Sequence, residues 1–292
     1  MNPDRTDARE LLAFYLEAGV DAALSEEPVN RLLGDAAAST PVVRPVARDA
    51  GPPVIESPRA SAPSLSRTAG TGGTAPVARA TASLVPPSPE AAVMAAREAA
   101  RSAASLADLR AILSRFEGCT LRTAATQLVF ADGNPEGRVM FVGEAPGSEE
   151  DRQGLPFVGP SGKLLDRMLA AIGLDRTSVY IANIVPWRPP GNRTPTPQES
   201  SICLPFILRQ IALVDPDVLV CLGGPSATTL LGITDGILKV RGRWFPFDTG
   251  VREIRAMPTL HPAYLLRQPL QKRLAWRDFL ALKKALSQTP RT

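Results

Sequence analysis

The stretch Arg138–Phe157, RVMFVGEAPGSEEDRQGLPF, decides the fold. It opens with a short apolar run, Val139–Val142, of a length suited to a buried strand. Gly143 breaks the run, and Glu144, Ala145, Pro146 and Gly147 follow, then the acidic residues Glu149, Glu150 and Asp151. A strand that ends in Gly-Glu-Ala-Pro-Gly presents a carboxylate at its C-terminal end, the edge where open α/β sheets bind ligands. Gly and Pro let the main chain turn tightly and pass close to a ligand. Taken alone, the stretch is equally an ordinary strand-to-loop turn, so its meaning depends on what lies around it.

Working outward, apolar strands are expected at Val139–Val142, Val179–Ile184, Val218–Leu222 and Ile254–Met257. Helices fit between and after them at Gly162–Ala171, Pro197–Val214 and Pro225–Leu231. This alternation predicts an α/β fold, a parallel sheet covered by helices on both faces. Each strand is followed by a polar loop: Gly-Glu-Ala-Pro-Gly, then Asn183 and the Pro186–Pro190 turn, then Gly223-Gly224-Pro225-Ser226, then His261-Pro262-Ala263-Tyr264. In a parallel sheet all four meet on one edge, so Glu144, Asn183, Ser226 and the single histidine, His261, are expected together. Glu149 and Asp151 read as a solvated face.

Upstream, Ser88-Pro89 caps an Ala-rich helix running to Ala104, and Ser105 with Asp108 caps a second carrying Leu109, Ile112, Leu113 and Phe116. Residues 1–35 form an arm with one amphipathic helix, expected at residues 7–24 and suited to docking on this chain or on a protein partner. Residues 36–87 are rich in Ala, Pro and Ser and too poor in large apolar groups to offset ordering entropy, so they read as a disordered linker. Residues 88–292 form the catalytic domain. The chain of 292 residues has a net charge of +4, compatible with nucleic acid. It has no apolar run long enough to span a bilayer and no secretion signal core, which points to the cytoplasm. Three widely spaced cysteines exclude a disulfide framework, and one histidine excludes a multi-histidine metal site. Gly159–Lys163 only faintly resembles a phosphate-binding Walker loop, because Phe157 stands at its first glycine position and Leu164 follows the lysine.

The gathered groups suit a nucleobase. A carboxamide pairs with an acceptor and an adjacent donor, a neutral imidazole donates to an oxygen gaining charge, a carboxylate orients water, and Phe157 is placed to stack. Together they describe a pocket for a base removed from its stack. Residues from about Phe116 to Leu286 resemble the family 4 uracil-DNA glycosylases, through GEAPGSEED with GLPFVGPSGKLLD, YIANIVPWRPPGNRTPTPQE and HPAYLLR. The resemblance implies a three-layer α/β/α sandwich with a central four-stranded parallel sheet. It implies a monofunctional glycosylase that hydrolyses the N-glycosidic bond of deoxyuridine in single- or double-stranded DNA. A damage-sensing DNA-binding module without turnover, or a glycosylase for hypoxanthine or xanthine, are the alternatives. By the same resemblance, Asn183 reads the O4 and N3–H edge, Phe157 stacks, and Ala145 and Glu150 line the wall. His261 stabilises the departing uracil anion at O2, and Glu144 handles the attacking water. Tyr264, Leu265, Leu266 and Arg267 enter the duplex. Ser161 and Lys163 at a helix start, with Arg188 and Ser226, meet the DNA backbone. A monomer, associated with the nucleoid in a prokaryote, is expected.

The same family carries four cysteine ligands to a [4Fe–4S] cluster. Here Cys119 and Cys203 fit two ligand positions, while Phe116 and Trp187 stand at the other two. Two thiolates are too few for a cysteine-ligated cluster. The expectation is no metal and no cofactor, with Phe116 and Trp187 as an apolar plug. Cys221, inside a strand, is expected as a small core residue.

Overall fold

The computed structural model describes residues 88–288. The helix expected at residues 7–24 and the linker at 36–87 lie outside the described residues. Ser88 caps α1 (Pro89–Ser102) through its side chain. Ser105 caps α2 (Leu106–Arg115), accepting from the Asp108 N–H at 3.1 Å. A short α3 (Leu121–Ala124) leads to the sheet.

The sheet holds β1 (Asp132–Gly133), β2 (Val139–Gly143), β3 (Val179–Asn183), β4 (Val218–Leu222), β5 (Phe245–Asp248) and β6 (Glu253–Thr259), in the order β1-β3-β2-β4-β6-β5. The four strands expected from the apolar runs form its parallel centre, in the order β3-β2-β4-β6. The expectation of a four-stranded sheet is corrected at the edges, where β1 and β5 add antiparallel pairings to β3 and β6. Both are short and carry residues that weaken a strand signal, Asp-Gly in β1 and a proline in β5.

Between and after the strands run α4 (Ser148–Gln153), α5 (Pro160–Ala171), α6 (Pro197–Val214), α7 (Gly224–Leu231), α8 (Ile237–Val240), α9 (Pro262–Arg267) and α10 (Lys272–Gln288). One apolar layer joins α1, α2 and α6 to one face of the sheet, through Leu109, Leu113, Phe206 and Ile207 against Met140 and Leu219. The other joins α5 and α10 to the opposite face, through Leu165, Leu169, Phe279 and Leu282 against Phe141 and Val220. Alternate residues of β2 thus feed opposite layers, the period-two geometry of a sheet covered twice. Cys221 is fully buried, as expected for a core residue.

Candidate active site

The C-terminal ends of the four parallel strands carry a cavity of about 630 Å³. Glu144, Ala145, Glu150, Phe157, Ser161, Asn183, His261, Tyr264 and Arg267 line it. The pairing of β2 and β3 continues past their ends: Ile184 N–H donates to the Gly143 carbonyl and Val185 N–H to that of Glu144, both at 3.0 Å. This holds the Glu144 main chain beside Asn183. The Gly223 N–H donates to the Thr259 carbonyl at 2.8 Å and fixes the third loop to the fourth.

Asn183 is 4 % exposed, and its Oδ1 is the one buried side-chain oxygen or nitrogen among the described residues without a hydrogen-bond partner. A buried acceptor left unpaired costs about 1–3 kcal/mol, and this one belongs to a residue of the cavity wall. Gly143 leaves the room: a Cβ there would stand 2.4 Å from Asn183 Oδ1 and 2.7 Å from Phe157 Cζ. Phe157 is buried, and its ring centroid lies 5.5 Å from that of His261, tilted by 32°.

His261 caps α9. Its Nδ1 accepts from the Ala263 N–H at 3.1 Å, which assigns the proton of the neutral ring to Nε2. Burial, with the positive charge of Arg267 second, pushes its pKa down to about 4. The ring is therefore neutral and a hydrogen-bond donor at physiological pH. Glu144 is half-buried, and desolvation raises its carboxyl pKa above the ordinary value.

The expectations for Ser226, Leu265 and Asp151 are corrected. Ser226 is 0 % exposed, and its hydroxyl donates to the Val142 carbonyl at 2.7 Å. It braces the end of β2 and does not reach a backbone phosphate. Leu265 is 1 % exposed and packs with Leu260 and Ala275, whereas Leu266, one step further round the helix, is exposed. Only the second of this pair projects towards solvent. Glu150 lines the cavity but its oxygens accept main-chain N–H groups, Oε2 from Gly147 at 3.1 Å and Oε1 from Val158 and Gly159 at 2.9 Å each. It ties the loop after β2 to the start of α5. Asp151 is not on a solvated face: it is buried and accepts from Thr126 N–H and Oγ1, both at 2.8 Å. Glu149 pairs with Arg152 at the surface. Lys163 is exposed on the first turns of α5, and Arg188 donates to Asn192 Oδ1 at 2.7 Å; neither lines the cavity.

The sequence reading did not single out Asn192, Thr194 and Pro195, which line the cavity mouth together with Arg193. That loop is held by Glu199, which receives a two-pronged pair from Arg193 at 2.7 and 2.8 Å and closes a capping box with Thr196 at the start of α6. The Thr-x-x-Glu spacing was the available signal.

Cys119 and Cys203 meet in the layer under α6, with their Sγ atoms 3.9 Å apart. Trp187 is 2 % exposed within the same layer, and the Phe116 ring packs edge-on against Phe206 at 5.0 Å. Among the described residues no third histidine, cysteine or carboxylate joins the two thiols as a metal-binding group. The donor set does not fit a four-thiolate cluster.

The uracil DNA glycosylase superfamily model matches residues 130–280, which hold the whole sheet from β1 to β6 and every strand-end loop. The chain is 48 % identical over 153 residues to a type-4 uracil-DNA glycosylase of Thermotoga maritima, covering 51 % of this chain and 77 % of that protein. It is 39 % identical over 169 residues to one of Archaeoglobus fulgidus, covering 56 % and 85 %. It is also 39 % identical over 178 residues to one of Sulfurisphaera tokodaii, covering 59 % and 80 %. The matched span and relatives of this kind place the chain in the uracil-DNA glycosylase superfamily, beside its type-4 members.

Proposed function

We propose that this chain is a monofunctional uracil-DNA glycosylase, and the unpaired Oδ1 of Asn183 carries the reading. Uracil offers N3–H beside O4. The Asn183 carboxamide accepts from the first and donates to the second, so base entry supplies the partner the pocket lacks. Cytosine presents the opposite pattern at both atoms and leaves the buried groups unpaired, a penalty of several kcal/mol. The base leaves its stack and lies on Phe157. As the C1′–N1 bond lengthens, negative charge grows on uracil O2, and His261 Nε2–H donates to it. A neutral imidazole is a far weaker acid than imidazolium, so it donates to the developing anion and keeps its proton, and desolvation strengthens the bond. Glu144 faces the sugar, balances the oxocarbenium charge and orients the water that attacks C1′. The products are free uracil and an abasic site, the starting point of base excision repair.

Tyr264, Leu266 and Arg267 enter the duplex beside the cavity, while Ser161, Lys163 and Arg188 serve the backbone. The apolar packing of Phe116 and Trp187 supports a domain that keeps its shape without an iron–sulfur cluster. No helix among the described residues is long and apolar enough to cross a membrane.

Asn183→Asp tests the reading. A carboxylate accepts from the cytosine amino group and cannot donate to uracil O4. The variant is expected to lose at least tenfold in uracil excision and to gain measurable release of cytosine from C-containing oligonucleotides. Unchanged selectivity would contradict the assignment of Asn183.

A further inference from the structure

Phe157 adopts a backbone conformation that L-residues avoid. Its φ is +55°, in the left-handed region, and it is one of three non-glycine residues among those described with positive φ. An aromatic residue pays of order 1–2 kcal/mol there and stays only where its surroundings over-determine it. From the α5 side, Gly162 presses on the Phe157 carbonyl so closely that a Cβ would fall 1.6 Å from the oxygen. Glu150 holds the next two N–H groups. The carbonyls themselves converge on one guanidinium: Arg176 Nη1 donates to the Pro156 oxygen at 3.1 Å and Nη2 to that of Phe157. Arg176 stands between two carboxylates, with Nε on Asp166 Oδ1 at 2.8 Å and Nη1 on Asp132 Oδ2 at 2.5 Å. Asp166 belongs to α5 and Asp132 to the edge strand β1, so the fork is anchored on both sides before it reaches the loop.

We propose that Arg176, which lines no part of the cavity, is a positioning residue for uracil excision: its fork fixes the Pro156–Phe157 main chain so that the Phe157 ring stays beside Gly143, Asn183 and His261. The proposal rests on the reading of Phe157 as the stacking surface. Only arginine suits the position, because a planar fork spans two carbonyls and two carboxylates where an ammonium reaches fewer at once.

A double-mutant cycle in the full chain tests it, read as single-turnover excision of U at saturating enzyme. That rate constant reports the folded molecules and not their number. Arg176→Met is expected to slow excision tenfold or more, with affinity for undamaged duplex unchanged, and Arg176→Lys to recover part of the rate. In a Phe157→Ala background, Arg176→Met should add less than twofold. A parental rate for Arg176→Met, or an undiminished tenfold loss on top of Phe157→Ala, would overturn the role of Arg176. Should Arg176→Met not fold, Arg176→Lys is read in the same cycle, and a parental rate there overturns the proposal. A parental rate for Phe157→Ala alone strikes the stacking reading itself and takes this inference with it. A slow Phe157→Ala beside a fast Arg176→Met strikes the inference only.

Discussion

His261 and Glu144 are moved by burial in ways that suit opposite tasks. The imidazole is held neutral down to about pH 4, and the carboxyl is made a weaker acid than usual. With Glu144 as the proposed water-handling group, we expect the acid limb of the excision rate to be its own: activity falls as pH drops through a value above 4.5, where the carboxylate is lost. We expect that limb in the single-turnover rate–pH profile of the parent and, at lower amplitude, in His261→Gln. A limb that vanishes in His261→Gln would assign it to the imidazole instead. Stability moves in the same direction on acidification, through the other group. Between the unfolded value of 6.5 and the folded value of about 4, the unfolded chain binds more protons at His261, so this group lowers stability as pH falls across that window. Residue types were legible in the sequence because strand ends are marked by where apolar runs stop. Residue roles were legible only in part. Glu150 and Asp151 stand in one acidic run, yet which N–H groups they meet is set by segments eight and twenty-five residues away. Leu265 and Leu266 differ by one step of helix rotation, about 100°, and only packing decides which of them faces the core.

At the scale of elements, the site depends on two places where a side chain is absent or hidden. Gly143 ends β2 under both Asn183 and Phe157. Gly143→Ala forces its Cβ against Asn183 Oδ1, and we expect excision to fall tenfold or more while affinity for undamaged DNA, measured by anisotropy, stays within twofold. A full rate would mean that the two side chains are free to move apart. Ser226 braces β2 from α7, so Ser226→Ala should cost about 1 kcal/mol in denaturant unfolding through the hydrogen bond lost at Val142. Affinity for undamaged duplex at fixed salt should not change, since no phosphate partner is removed. A weakened affinity in a folded variant would restore Ser226 to the DNA interface. The central strands were legible because each is a continuous apolar run buried on both faces. The edge strands were not: β1 is two residues long, and β5 carries Pro246 on its open side. Each is defined by its partner strand and not by a pattern of its own.

At the largest scale, the described residues form a sheet whose cavity-bearing edge gathers four loops and whose far layer, beneath α6, is closed by aromatic packing and two thiols. By the family resemblance, that layer is where a metal cluster would be expected. Here the ring of Phe116 and the indole of Trp187 bring apolar contacts to it, and on the proposed reading shape at the cavity does not depend on iron. Substrate recognition and domain support are thereby separable, and both can be read on one purified sample. Labelled oligonucleotides carrying a single U opposite G, opposite A or unpaired are incubated with the full chain and heated in alkali, and iron is determined in the same preparation. The account predicts strand breaks at U and at no other base, with iron far below one atom per chain. Intact strands in a sample that still binds uracil DNA would contradict the assignment of an enzyme, and stoichiometric iron would contradict the apolar closure at Phe116 and Trp187.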